Sequence, residues 1–354
     1  MVSLNLVRKS NAALRTLTSP PTTPNKITAL FVGGTSGIGL STLRALARHT
    51  EGKALTAYIV GRSESRAKPV LSELQSLSPT AKFKFIEADV SLIRNVDRAC
   101  KTVLQNENGP GGSGKLDFLF MTPGGISVPF RGRDETPEGI DRLFSLRYYA
   151  RMRFIQNLLP LLSNTQGKGR GRVLSIYGGG FEHRINKCDL DLKHKHTFSL
   201  LNAYKHSITM TSLAMAHLAK VNRNVSFIHA FPGLVGTSIY RNSFPGPVAK
   251  VYEYGVWPLL WPFSVGVQES GERGLFHLTS GRYSARNGGD VGGEEGEVAV
   301  GVDGVKGGGA YLLNWKGEVR GTTNSLKGYL DDGTDGVVWR HTEALLGEAA
   351  ERTL

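Results

Sequence analysis

Short apolar runs alternating with amphipathic stretches set the rhythm of this chain from residue 27 onward. Ile27–Val32 (ITALFV) is a continuous β-prone run, and the LSTLRALARH that soon follows repeats apolar residues at helical spacing. Leu55–Val60 predicts a second buried strand, ended by Gly61-Arg62-Ser63, and a helix follows over about Ser65 to Leu77. A third strand at Lys82–Ala88 closes on Asp89, with a helix over roughly Leu92–Gln105 behind it. Leu116–Met121 and Arg172–Tyr177 read as strands on either side of a long amphipathic helix, about Gly139 to Leu162. Another long helix, about Phe198–Val221, leads into a strand at Val225–Ala230. Ala310–Asn314 predicts a last strand, and Val337–Ala350 an amphipathic C-terminal helix. Strands that alternate with helices of about ten residues or more imply an α/β fold, a parallel sheet doubly wound by right-handed crossovers.

The turn after the first strand adds chemistry to that pattern. Gly33-Gly34-Thr35-Ser36-Gly37-Ile38-Gly39 lies between a strand and a helix, the order needed to hold a dinucleotide pyrophosphate. Glycines let the backbone turn sharply and approach the phosphates closely. The N–H groups of the helix's first turn then meet the anion, aided by the positive end of the helix dipole. The fold expected is therefore Rossmann-like, with ligands at the carboxyl ends of the strands. Arg62, Asp89, Thr122–Gly125, Tyr177–Gly180 and Pro232–Thr237 all fall at those ends.

Length and composition fit one large domain over residues 27–354, behind an N-terminal extension and linker at 1–26. The extension predicts a short helix packed on the domain, followed by the Pro20–Pro24 linker. One stretch breaks the pattern. Asn287–Gly309 is dominated by glycine, with Asp290, Glu294, Glu295, Glu297 and Asp303, and predicts a disordered surface insertion. The formal charge of +13 raises the question of a nucleic-acid partner. No aromatic-interleaved binding pattern accompanies the basic clusters at Arg131–Arg153 and Lys168–Arg172, so none is expected. Two cysteines, Cys100 and Cys188, make neither a disulfide framework nor a thiolate metal site, and no HExxH-type histidine spacing occurs. No membrane span is expected either, since the longest apolar stretch, Tyr254–Val267, is short and broken by Pro258 and Pro262. That stretch predicts a flap over an apolar ligand or a surface for a membrane or partner. A reducing, cytoplasmic location follows as the default.

GGTSGIG at 33–39, GRS at 61–63, ADVS at 88–91, TPGG at 122–125 and PGLVGT at 232–237 together resemble the short-chain dehydrogenase/reductase family. The resemblance covers about residues 27–280, and FVGGTSGIG, SFIHAFPGLVGT and YLLNWKG are most similar to a fungal subgroup found in secondary-metabolite pathways. It implies a small-molecule substrate, a nicotinamide cofactor and a tendency to form homo-oligomers through the two long helices. The cofactor contacts implied are Gly33, Thr35, Ser36, Gly37, Ile38 and Gly39 at the first turn. Beyond these lie Asp89, Thr122 and Gly124, then Pro232, Gly233, Val235 and Thr237 after the sixth strand. NAD enzymes place an acid at the end of strand two, on the ribose 2′-OH. Here Arg62 stands there instead, suited to a 2′-phosphate, so NADP(H) is favoured.

The family's catalytic Asn, Ser, Tyr and Lys are all missing from their positions. The Asn position falls on Arg147 and the Ser position on Gly178, next to Tyr177. The Tyr and Lys positions fall on Phe198 and Asn202 in one register, on Leu201 and Lys205 in the other. Residues 198, 201, 202 and 205 share one helix face, which lets Lys205 reach the cofactor's ribose in either register. Tyr204 lies about 100° round the helix from Lys205 and is expected to turn away from the site. Tyr177 is then the proton donor, or a ring packed beside the nicotinamide; Tyr204 is the alternative donor, and His183 and His206 are possible but carry no distinguishing signal. The reading is an NADP(H)-dependent ketone/alcohol oxidoreductase. A non-redox nucleotide-binding protein and an isomerase or dehydratase on the same fold stay open.

Overall fold

The computed structural model describes residues 2–14, 26–125, 132–165, 171–237, 244, 246–288 and 296–352. Seven parallel strands form one sheet: β1 (Ile27–Val32), β2 (Leu55–Gly61), β3 (Lys82–Glu87), β4 (Phe118–Met121), β5 (Gly171–Ile176), β6 (Val225–Ala230) and β7 (Ala310–Leu313). Their order is β3-β2-β1-β4-β5-β6-β7, with Ile27 opposite Leu55 and Ala29 opposite Phe118. The order reverses direction between β1 and β4, and that switch point opens the crevice where ligands bind in such sheets.

Both faces of the sheet are covered, which explains why its inner strands read as unbroken apolar runs rather than alternating ones. Leu30, Val32, Tyr58 and Val60 face a core shared with α4 (Ile93–Asn108), α6 (Ala150–Ser163) and α7 (Leu200–Val221). Ala29, Phe31, Ala57 and Ile59 face the other, built with α2 (Gly37–His49) and α10 (Val267–Thr279). Helices α2 and α10 cross closely because Gly271 and Gly274 meet Ser41 and Thr42 with no side chain between. α3 (Glu64–Leu77) follows β2, and α6 continues a short α5 (Arg142–Phe144) through a π-helical turn, Ser145–Tyr149. After β6 come α8 (Gly246–Val251), a π-helical turn, α9 (Trp257–Leu260) and a 3-10 turn; α11 (Asn324–Asp331) and α12 (Thr334–Glu351) close the chain.

The N-terminal segment forms α1 (Leu4–Ala13), docked on α10 where the buried Asn11 amide donates to the Glu272 carbonyl and carboxylate. Its Pro-rich linker lies outside the described residues. The Gly- and acid-rich stretch needs correction. Asp290, Glu294 and Glu295 lie outside the described residues, but 296–309 fold against the domain instead of being disordered. Val298, Ala299 and Val302 are buried there, Asp303 pairs with Arg286, and Gly304, Gly307 and Gly309 take the left-handed turns. Composition missed these few apolar anchors among many glycines.

Candidate functional site

The carboxyl ends of β1 to β4 frame a cleft of ≈ 220 Å³. Gly33, Thr35, Ser36, Gly37 and Ile38 line it, as do Arg62, Asp89, Thr122, Gly124 and Thr237. Gly33 takes φ +88°, and a Cβ on it would stand 2.5 Å from Thr122 Oγ1. Gly39 is pressed against the Gly33 carbonyl with no room for a side chain. Ser36 precedes α2 without a side-chain cap, and no acid occupies the first turn, so that turn's N–H groups are open to an anion. Arg62 is exposed at the rim, and Asp89 is the sole acid among the described cleft-lining residues. Asp89 Oδ1 accepts from the Ser91 N–H at 3.0 Å, while its Oδ2 lies 3.8 Å from Arg142.

Three expected contacts sit elsewhere. Pro232 borders a small separate cavity with Ile38 and Trp315, Gly233 packs on Trp315, and Val235 pairs with Val265. These residues shape the turn that brings Thr237 to the cleft. The aromatic stretch after it is helical. Its Trp257 abuts Gly236, while Tyr254, Leu259, Trp261 and Phe263 are strongly exposed instead of covering the site. A larger cavity of ≈ 400 Å³ opens among Lys220, Arg286, Asp303 and Lys327. Its cations are already paired with Asp335, Asp303 and Asp331.

At the end of β5 the structure gathers Tyr177, Tyr204, Arg147 and Arg151. The Tyr177 hydroxyl and Ser207 Oγ are 2.8 Å apart, and Ser207 Oγ donates to the Tyr204 carbonyl at 2.9 Å. A hydroxyl has one proton, so Ser207 Oγ serves one of these two acceptors at a time. Tyr204 packs edge-on against Tyr177, with ring centroids 5.9 Å apart. The helix face set by Tyr204, Ser207 and Ile208 therefore meets the site, not the face expected from the family register. Lys205 is half-buried and makes no hydrogen bond or ion pair with the described residues.

Arg147 lies in the π-helical turn, a form frequent at functional sites. Its Nη2 donates to the Gly125 carbonyl at 2.7 Å, and its guanidinium carbon stands 5.9 and 6.0 Å from the Tyr177 and Tyr204 ring centroids. Arg151, one turn on, is fully buried. It donates to Ser175 Oγ at 2.5 Å, to the Ile176 carbonyl at 3.0 Å and to the Pro123 carbonyl. Burial pulls its pKa down to about 9, which still leaves a cation at neutral pH. Burial also raises the Tyr177 pKa, prevailing over the nearby Arg147 charge, so this phenol stays neutral. Sequence reasoning passed over Arg151; the available signal was its i, i+4 spacing from Arg147 on an apolar helix.

A buried polar chain fixes the loop after β5. His229 Nε2 accepts from the Gly178 N–H at 3.1 Å, so Nδ1 carries the proton and donates to Ser212 Oγ at 2.8 Å. Ser212 Oγ donates to Glu182 Oε1, which also accepts from the Gly180 N–H. Burial brings the His229 pKa down to about 3 and so keeps the ring neutral. Within this loop, a Cβ at Gly178 would lie 2.6 Å from Ile208 Cδ1. Gly178→Ser is expected to destabilise the fold by about 1–3 kcal/mol through overpacking. Adding Ile208→Ala should recover part of that loss in chemical denaturation. A lone Gly178→Ser variant as stable as the parent would refute the steric argument.

Known proteins share this architecture. The short chain dehydrogenase family model matches residues 27–188. "Oxidoreductase AN1596" of Emericella nidulans is 60% identical over 99% of this chain and 100% of its own. "Short-chain dehydrogenase/reductase SAT2" of Stachybotrys chartarum is 31% identical over 99% of each chain. An NADPH-bound carbonyl reductase from chicken fatty liver superposes with a TM-score of 0.53 at 17% identity, covering 84% of this chain and 99% of that one.

Proposed function

The chain belongs to the short-chain dehydrogenase family, and from that premise we propose an NADP(H)-dependent oxidoreductase that interconverts a ketone and a secondary alcohol. The substrate is a fairly apolar small molecule, in keeping with a secondary-metabolite pathway and a cytoplasmic setting. Among the described residues no helix is long and apolar enough to cross a membrane. The observation that carries the reading is the side-chain-free cradle at Gly33 and Gly39 beneath an uncapped helix start. A dinucleotide pyrophosphate fits those residues, because the backbone approaches closely and its N–H groups lie open.

When bound, a reduced nicotinamide supplies hydride to the carbonyl carbon. The protein's task is then to orient the substrate and move one proton at its oxygen. The phenols beside Arg147 are suited to that work. Arg62 selects the 2′-phosphate, where a carboxylate would repel it.

Loss of reduced-nicotinamide absorbance with a panel of apolar ketones tests the activity, NADPH being expected to outperform NADH. Arg62→Ala is expected to raise the KM for NADPH about 10- to 100-fold, since hydrogen bonds to charged groups contribute roughly 1.5–3 kcal/mol. The KM for NADH should stay level. Equal loss with both coenzymes would remove Arg62 from the phosphate site. Tight NADPH binding with no turnover on any ketone would favour the non-redox nucleotide-binding role.

A further inference from the structure

We propose that the apolar segment Val248–Phe263 docks on the surface of an anionic lipid bilayer, close to the mouth of the nucleotide cleft. This goes beyond the functional reading above and does not rest on it. Seven of the thirteen large apolar side chains exposed among the described residues lie between Val248 and Phe263. Leu259 is 75% exposed, Trp261 67% and Phe263 81%. Holding so much apolar surface in water is unfavourable, and a cluster of this kind marks a place of contact.

Shape distinguishes a bilayer from a protein partner. Consecutive helical residues point about 100° apart. Tyr254, Gly255 and Val256 are all exposed, as are Trp261, Pro262 and Phe263, so the segment stands out to water on several sides. Its turns pack chiefly on one another, and Trp257 ties them to the body against Gly236. A protein partner would cover one face of such a segment, whereas a headgroup layer surrounds it.

The chemistry agrees with the shape. Tryptophan and tyrosine favour the boundary between water and hydrocarbon, and Tyr252, Tyr254, Trp257 and Trp261 supply both. Lys250 is exposed, and its stem can lie along apolar surface while the ammonium reaches lipid phosphate. Glu253, the segment's one acid, is half-buried. The formal net charge of +13 draws the chain toward anionic lipid. Thr237 lines the cleft, and Val235 pairs with Val265 just beyond the segment. Docking therefore brings the cleft within reach of apolar molecules dissolved in the bilayer.

The test mixes the intact chain with vesicles of phosphatidylcholine alone, or of equimolar phosphatidylcholine and phosphatidylserine, and sediments them. Co-sedimentation with the mixed vesicles is expected to exceed that with neutral ones at least about tenfold, and to fall as salt rises. Lipids brominated on their acyl chains should quench the tryptophan fluorescence. Trp261→Glu combined with Phe263→Glu changes two strongly exposed side chains and so spares the fold. It is expected to lower partitioning at least about tenfold. Val305→Glu, exposed elsewhere on the chain, is the control and should bind as the parent does. No co-sedimentation with either vesicle, or co-sedimentation that survives the double substitution, overturns the proposal. So does a parent that is dimeric without lipid, becomes monomeric on the double substitution and ignores vesicles; the occupant is then a second copy. If the protein binds no NADPH, the functional reading falls by itself, and the vesicle result stands.

Discussion

Gly39→Ala is expected to abolish measurable NADPH binding, raising Kd at least about 1,000-fold, or about 4 kcal/mol. The added methyl would run into the carbonyl oxygen of Gly33, with the Gly33 carbonyl carbon at 3.0 Å and Gly34 Cα at 3.3 Å. All three are backbone atoms, so no side chain can rotate to make room. Either α2 moves away from β1 or the glycine turn opens. Both responses carry the first-turn N–H groups away from the place where a diphosphate would meet them. Gly52→Ala is the matched control: its φ of +79° makes alanine strained there too, but nothing lies within 4 Å and the turn is outside the cleft. Calorimetry should find the control binding like the parent. A Gly39→Ala protein that is folded by circular dichroism and binds within tenfold of the parent would end the cradle argument.

Arg151→Met is expected to cost about 3–5 kcal/mol of stability, because it removes a buried cation that ties several backbone oxygens together. Methionine roughly fills the volume but donates nothing. Ser175 Oγ and the carbonyls of Met121, Pro123, Leu146 and Ile176 would each lose a donor. These oxygens belong to the ends of β4 and β5 and to the π-helical turn, the elements that meet at the cluster. Pro123 also lines the cleft, so cofactor affinity should fall together with stability. Arg151→Lys is expected to lie between the two, since an ammonium keeps the charge but has fewer donors and a shorter reach. Thermal melts at neutral pH should show a drop of at least about 5 °C for the methionine variant. A change below about 1 kcal/mol would mean the fork contributes packing alone.

The sheet was legible because its inner strands are apolar on both faces and punctuated by glycine. β6 runs over Val225–Ala230 as predicted, and β1 over Ile27–Val32. Most cleft-lining residues were legible too, since each follows a strand end by a few positions. The long helix before β5 was foreseen, but not its π-helical turn, which changes the direction in which Arg147 and Leu146 point. The inward face of α7 was misjudged for a related reason. Helical spacing says which residues share a face, whereas contacts with distant chain decide which face turns inward. Here Ser207 meeting Tyr177 and Ile208 filling the space over Gly178 bring Tyr204, not Lys205, to the cluster. The stretch at 296–309 failed in the opposite sense, where three apolar anchors outweighed an overwhelmingly flexible composition.

The crowding of Ile208 over Gly178 also limits what this lineage can become. An alcohol group cannot be placed at that spot in a single step without harm, since the branched neighbour must shrink beforehand. The order of substitution at this pair is thus set by sterics, the adjoining helix yielding first.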